Sequence, residues 1–218
     1  ADVIPLHISK ESAREKLDLV APQGPVFAIL PGSRQSELHY MADTFIETGK
    51  CLLERFPKAT FLVPLVSRET REQFEAALWR CGAQSMPFKM LFGHAQDAVA
   101  ASDAALIASG TATLEAALIK RPLVIAYRMS SWSWRLMRRM CYQPWVGLPN
   151  ILAGRFVVPE FLQDDATPEN LAQALANQVT DTGMAARLEA TFMAIHRQLK
   201  QDTATRAAEA ILQHLPRS

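Results

Sequence analysis

Gly32, Ser33 and Arg34 stand where a short apolar run ends and an amphipathic helical pattern begins. A strand that stops at a glycine turn and leads into a helix directs main-chain N–H groups and the positive helix end toward one point, which suits an anion. Arg34 adds a planar guanidinium that matches phosphate oxygens. These residues predict a phosphate site, although a Pro-Gly turn followed by serine is also an ordinary way to start a helix. The pattern is neither a Walker loop nor Gly-x-Gly-x-x-Gly.

A second turn, at Ser109, Gly110 and Thr111, repeats this arrangement. Both turns follow predicted strands, so in a parallel sheet both lie at the carboxyl edge, where open α/β sheets bind ligands. Two such turns at one edge suit a diphosphate better than one. Glu115 follows at a spacing that excludes a capping box with Ser109 or Thr111. Its carboxylate could accept two hydrogen bonds from a ribose diol, or simply favour the helix dipole.

Asn150 is a third candidate. Pro149 forces an extended approach to it, and its side-chain amide offers both donors and an acceptor. From the residues alone, an Asx helix cap is the other interpretation.

Residues 130–145 gather three of the four tryptophans together with three arginines. A helix of this kind can lie at a membrane interface, with arginines toward anionic head groups. Alternatively, the tryptophans dock the helix on the sheet and the arginines face water. The candidates for membrane contact are Trp132, Trp134, Arg135, Arg138, Arg139 and Trp145.

Continuous apolar runs predict strands at 26–30, 60–63, 88–92, 104–108 and 123–127, and helical spacing alternates with them at 38–56, 69–79, 94–101 and 112–119. Such alternation is typical of a parallel sheet covered by helices on both faces, a Rossmann-like α/β fold. Further helices are predicted at 160–163, 168–179, 185–199 and 203–215. We therefore predict a Rossmann-like domain at residues 1–165 and a C-terminal helical extension at 166–218.

The composition narrows the functional classes. The 218 residues carry a formal charge of +1, with 49% hydrophobic and 21% charged residues, so no general attraction to nucleic acid is expected. No apolar run is long enough to cross a membrane, and no signal peptide is evident. Three widely spaced cysteines and five scattered histidines fit neither a disulfide framework nor a zinc site. No acidic pair such as Asp-x-Asp is present, and neither a metal nor a cofactor is expected.

Six segments, taken together in their order and spacing, resemble the lipid-A-disaccharide synthase family. The likeness runs from the first residues to about Gln163 and more loosely through the helical tail. The segments are Leu30-Pro-Gly-Ser-Arg34 with Glu37, Val63-Pro-Leu-Val66, Ala101-Ser-Asp-Ala-Ala-Leu106, Ala108-Ser-Gly-Thr-Ala-Thr-Leu-Glu115, Tyr127-Arg-Met129 and Leu148-Pro-Asn-Ile-Leu-Ala-Gly-Arg155.

This resemblance implies one half of a GT-B fold, in an inverting glycosyltransferase of Gram-negative lipid A biosynthesis. Such an enzyme transfers 2,3-diacylglucosamine from its UDP conjugate to 2,3-diacylglucosamine 1-phosphate, giving a β-1,6-linked tetraacyl disaccharide 1-phosphate and UDP. Carried over by motif, Arg34 becomes the catalytic candidate that holds the donor diphosphate, Glu115 holds the ribose and Asn150 orients the donor. The implied UDP-sugar site comprises Gly32, Ser33, Arg34, Glu37, Ser109, Gly110, Thr111, Glu115, Tyr127 and Asn150.

The family also implies a peripheral location at the cytoplasmic face of the inner membrane, with the membrane surface and a lipid-monosaccharide acceptor as partners and no nucleic acid. Its members carry a further N-terminal domain, which would hold the acceptor and the general base and is not in this sequence. The oligomeric state stays open, a domain-exchanged dimer included. Two alternatives also stay open: another GT-B enzyme or epimerase that uses UDP-N-acetylglucosamine, and a non-catalytic nucleotide-binding or membrane-docking module.

Overall fold

The computed structural model describes residues 1–19, 21–108, 110–130, 134–135 and 144–214. Its strands are β1 Val26–Leu30, β2 Thr60–Leu65, β3 Phe88–Phe92, β4 Ala104–Ala108, β5 Leu123–Tyr127 and β6 Glu160–Leu162. They form one six-stranded sheet in the order β3-β2-β1-β4-β5-β6, and all its pairings are parallel. This is the strand order of doubly wound, Rossmann-like domains, so the predicted fold class is confirmed.

Helices connect and cover these strands. In chain order they are α1 Lys10–Lys16, α2 Gln35–Arg55, α3 Arg68–Arg80, α4 Ala95–Ala101, α5 Thr111–Ile119, α6 Leu148–Ala153, α7 Pro168–Thr180, α8 Thr182–Leu199 and α9 Thr203–His214, with a 3₁₀ turn at Gln163–Asp165. The predicted helices at 38–56, 69–79, 94–101 and 112–119 correspond to α2 to α5. The sequence analysis assigned no element to the residues of α1 or α6.

The sheet has an apolar core on each face, because successive side chains of a strand point to opposite sides. In β1, Phe27 and Ile29 belong to one core, whereas Ala28 and Leu30 belong to the other. Helices α2, α3 and α7 cover the first face, and α1, α4, α5 and α8 cover the second. Every residue of β1 and β4 is buried, which explains their unbroken apolar sequences.

The helix predicted at 160–163 is wrong. Residues Glu160–Leu162 form β6, which pairs with β5 from Ile125 to Tyr127. A three-residue strand is too short for its periodicity to be recognised. β2 also runs past the predicted end at residue 63 and includes Pro64. Proline is tolerated there because the recorded pairing of β2 with β1 ends at Leu62.

The C-terminal helices differ in how they pack. Leu171 and Leu175 of α7 lie in the core beneath α2, and Phe192 of α8 lies in the core of the opposite face. In contrast, residues 203–212 of α9 are all exposed. The predicted helical extension therefore contributes two helices to the cores of the sheet and one exposed helix.

Helix α5 is fastened at its C-terminal end. Lys120 follows it in the left-handed conformation and is almost buried, and its Nζ lies 2.6 Å from Nδ1 of His196 in α8. Burial lowers the pKa of Lys120 to about 8. This contact ties α5 to α8 at the end remote from the carboxyl edge of the sheet.

Candidate functional site

The two predicted turns meet in one cleft. They follow β1 and β4, which are neighbours in the sheet, and they line a cleft of about 370 Å³ at its carboxyl edge. This volume is within the range of small-molecule sites. The lining residues are Leu30, Gly32, Ser33, Arg34, Glu37, Pro64, Val66, Ala95, Ala108, Gly110, Thr111, Ala112 and Glu115.

The β1–α2 turn is built around Glu37. The Glu37 Oε2 atom accepts hydrogen bonds from the main-chain N–H groups of Ser33 at 2.8 Å and Arg34 at 3.2 Å. Gly32 has a φ of +127°, and a Cβ atom there would lie 2.4 Å from Cβ of Glu37. Glycine is therefore required at position 32 both by its backbone conformation and by the close approach of Glu37.

This arrangement changes the predicted role of the turn. The sequence predicted that main-chain N–H groups here are offered to an anion, but those of Ser33 and Arg34 are already bonded to the Glu37 carboxylate. The Arg34 side chain is 80% exposed, and its Nη1 lies 3.7 Å from Oε1 of Glu37. The turn thus offers the cleft the exposed Arg34 guanidinium more than a set of free main-chain N–H groups.

The β4–α5 turn is built differently. Gly110 caps α5 with a φ of +139°, and within the part of the chain that the structure describes no side chain caps this helix. Both the N–H group and the hydroxyl of Thr113 bond the Gly110 carbonyl oxygen. Thr111 and Ala112, the first two residues of the helix, line the cleft. Ser109, also a predicted site residue, lies outside the described residues.

Glu115 lies one turn into α5 and lines the same cleft. It is partly buried, and its Oε2 lies 3.5 Å from Nε2 of Gln96, which is long for a hydrogen bond. In the described part of the chain, the Glu115 carboxylate accepts no main-chain N–H group of α5, so it keeps most of its accepting capacity.

Tyr127 lies beside this cleft and does not line it. With Tyr40, Met129 and other residues it borders a depression of about 180 Å³. Glu37 lines both this depression and the cleft between the two turns. The next residue, Arg128, donates to the carbonyl oxygens of Gln163 and Ala166, so its guanidinium fixes the end of β5 to the chain that follows β6.

Asn150 does not join the other predicted site residues. It is fully buried, and its Nδ2 donates to the Val158 carbonyl oxygen at 2.9 Å and to Glu160 Oε1 at 2.7 Å. Its Oδ1 accepts from the N–H groups of Val157 and Val158. Two donors and two acceptor positions exhaust the capacity of an amide, so Asn150 has nothing to offer a ligand in this arrangement. We therefore propose a structural role for Asn150 in place of the predicted orientation of the donor.

The tryptophan- and arginine-rich stretch is described only in part. Trp134 is partly buried and Arg135 is exposed, and both border a second cleft of about 520 Å³ with Tyr40 and Asp164. Trp145 is partly buried. The other membrane-contact candidates, Trp132, Arg138 and Arg139, lie outside the described residues.

Sequence analysis did not identify six residues that line this cleft as site residues: Leu30, Pro64, Val66, Ala95, Ala108 and Ala112. All six lie at the ends of β1, β2 and β4 or shortly after β2, β3 and β4. Their position at the same carboxyl edge was the available signal. Over the described ranges, no three carboxylate, imidazole or thiol side chains converge as metal ligands would. In the same ranges no helix combines the length and apolar character needed to cross a bilayer.

Comparison with solved structures agrees with the sheet order. The chain superimposes on a crystal structure of Anabaena Alr3699/HepE in complex with UDP and glucose with a TM-score of 0.58, covering 96% of this chain and 55% of that one. The two sequences are 17% identical, so the likeness concerns the fold alone, a Rossmann-like domain of the kind that forms one half of a GT-B fold.

Comparison with sequences is more specific. The chain is 58% identical over 216 residues to a lipid-A-disaccharide synthase of Dechloromonas aromatica (strain RCB) and 55% identical over 218 residues to one of Azoarcus sp. (strain BH72). These alignments cover 99% and 100% of this chain but 56% of each relative, so the chain spans little more than half their length. The model of the lipid-A-disaccharide synthetase family matches residues 1–215. The chain therefore belongs to the lipid-A-disaccharide synthetase family.

Proposed function

We propose that this chain is the donor-binding half of a lipid-A-disaccharide synthase and that the cleft between the β1–α2 and β4–α5 turns takes UDP-2,3-diacylglucosamine. The observation that carries the proposal is the meeting of three features in one cleft: Arg34, the start of α5, which no described side chain caps, and Glu115. Membership of the family supports the identity of the donor and of the acceptor, 2,3-diacylglucosamine 1-phosphate.

In this proposal the diphosphate lies between the start of α5 and the Arg34 guanidinium. The N–H groups of Thr111 and Ala112 and the positive end of α5 favour negative charge from one side. The exposed Arg34 side chain reaches it from the other. Ser33, Ser109 and the Thr111 hydroxyl supply further polar groups, and Glu115 accepts hydrogen bonds from the ribose. Tyr127 borders the sugar or base from the neighbouring depression.

The same groups would assist the reaction. When the bond at the anomeric carbon breaks, negative charge grows on the β-phosphate of departing UDP. Donors held in place around that phosphate stabilise the transition state more than the ground state, and this difference accelerates the reaction. Arg34 is the catalytic residue of this half. The general base and the acceptor site are assigned to the other half of the protein.

We further propose that α9 contacts that other half. In this proposal the chain divides near residue 165, as predicted, into a Rossmann-like domain and a helical extension. Its apolar residues Ala204, Ala207 and Ile211 follow helical spacing and are exposed, as expected of a helix whose partner surface lies elsewhere. In a domain-exchanged dimer, a second copy of the protein would cover the same apolar residues of α9.

Peripheral attachment to the cytoplasmic face of the inner membrane is also proposed, through residues 130–145. Its support is the composition of that stretch and the exposure of Arg135 beside the partly buried Trp134.

Calorimetric titration of the 218-residue chain tests the donor site. We expect UDP to bind at least about tenfold more tightly than ADP or NAD, a difference of about 1.4 kcal/mol. The chain alone should not form disaccharide, because the acceptor half is required. Absent binding of all three nucleotides would contradict the donor site and favour a membrane-docking module. Equal binding would also contradict it and favour a non-catalytic nucleotide-binding module. UDP binding with no preference for acylated over unacylated UDP-sugar would favour another UDP-sugar enzyme.

A further inference from the structure

The two turns of the cleft use their main-chain donors in opposite ways. At the β1–α2 turn, the N–H groups of Ser33 and Arg34 are bonded to the Glu37 carboxylate. At the β4–α5 turn, no described side chain caps the helix. One helix start is thus closed by an anion of the protein itself, and the other faces the cleft.

Glu37 is well placed to remain in its turn. Its side chain is only 14% exposed, it accepts two main-chain hydrogen bonds, and its other oxygen faces the Arg34 guanidinium at 3.7 Å. Gly32 leaves the space that the Glu37 side chain occupies, since a Cβ at position 32 would lie 2.6 Å from Oε2. A phosphate could reach these N–H groups only by expelling a carboxylate that has three favourable contacts.

We propose that Glu37 is a positioning residue of the donor site and does not itself bind the ligand. The inference rests on the proposed function and refines it. Its carboxylate holds the β1–α2 turn in one conformation and occupies the anion position there, so that this turn meets the nucleotide diphosphate through the Arg34 side chain. The diphosphate is thereby directed to the start of α5.

Two substitutions separate the reach of Glu37 from its charge. Glu37→Gln keeps a carbonyl oxygen at the same distance from the main chain but removes the charge. Glu37→Asp keeps the charge but shortens the side chain by one methylene group, so the carboxylate no longer reaches the two N–H groups. We expect Glu37→Gln to bind UDP within about threefold of the unsubstituted chain and Glu37→Asp to bind about tenfold more weakly. Glu72→Asp is the matched control, because Glu72 pairs with Arg68 at the start of α3 and lies outside the cleft.

Combining these changes with Arg34→Ala tests whether Glu37 acts through Arg34. If it does, Glu37→Asp should weaken UDP binding by less than about threefold in the Arg34→Ala background. A full tenfold loss there would mean that the two residues act independently and would overturn the inference. Equal losses in Glu37→Gln and Glu37→Asp would also overturn it, as would no loss in Glu37→Asp.

A measurement without nucleotide separates this inference from the donor site itself. Amide hydrogen exchange at Ser33 and Arg34 should accelerate in Glu37→Asp and stay nearly unchanged in Glu37→Gln. Unchanged exchange in Glu37→Asp would refute the positioning role even if UDP binds. Accelerated exchange in a chain that fails to bind UDP would instead keep the turn geometry and refute the proposed function.

Discussion

Replacing Arg34 with alanine is expected to weaken UDP binding by about 10- to 150-fold, the equivalent of about 1.5–3 kcal/mol for hydrogen bonds to a charged group. The Arg34 side chain is 80% exposed and its nearest recorded partner, Glu37, is 3.7 Å away, so it is available to a phosphate. In the complete enzyme, the same substitution should lower kcat by about 10²- to 10³-fold, because the charge that it meets is largest in the transition state. Calorimetry and steady-state kinetics measure the two effects.

Arg68 provides the matched control for this substitution. It also starts a helix that follows a parallel strand, it is 86% exposed, and it pairs with a glutamate one turn later. It does not line the cleft. Arg68→Ala should leave UDP binding within about twofold, since isolated surface ion pairs contribute little. A normal kcat in Arg34→Ala would remove Arg34 from the mechanism.

Replacing Asn150 with alanine should destabilise the fold and leave the donor site intact. The change removes four hydrogen bonds and deprives three main-chain groups of this partner: the N–H and carbonyl groups of the buried Val158 and the N–H group of the partly buried Val157. At about 1–3 kcal/mol for each group left without a partner, the free energy of unfolding should fall by at least about 3 kcal/mol. Urea denaturation measures this loss, and calorimetry on the folded protein at low temperature should find UDP affinity unchanged.

Asn177→Ala is the comparison for that experiment. Asn177 lies on the exposed side of α7 and bonds Gln173 there, so its loss should cost no more than about 0.5 kcal/mol. If Asn150→Ala instead kept its stability but lost UDP binding, the role assigned to Asn150 from the resemblance would be restored.

Much of the fold follows from patterns that one sequence displays. The buried strands β1, β4 and β5 are continuous apolar runs, and their bounds match the predicted ones at 26–30, 104–108 and 123–127. Because these strands are buried on both faces of the sheet, nearly all of their residues must be apolar, and such a run is easily recognised in a sequence. In contrast, the three residues of β6 are only partly buried, and the Glu160 carboxylate accepts hydrogen bonds from the N–H groups of Val146 and Gly147. A strand defined by such distant contacts has no local signature.

The candidate site, like the fold, could be predicted only in part. The meeting of the two turns could be predicted because strand ends in a parallel sheet share an edge. What could not be predicted is how each polar group is used. Glu37 lies three residues after Arg34, at the spacing by which an acid caps its own helix, yet the same spacing is compatible with a ligand contact. Nothing in the sequence around Asn150 indicates that its amide already has partners. In the structure, the N–H groups of Val157 and Val158, shortly before β6, donate to its Oδ1.

A crystal structure of this chain with UDP tests the central claim most directly. We expect the diphosphate oxygens to lie within hydrogen-bond distance of the Thr111 and Ala112 N–H groups and of the Arg34 guanidinium, with Glu37 still bonded to Ser33. UDP bound elsewhere, or a diphosphate in the cleft that contacts neither Arg34 nor the start of α5, would contradict the account.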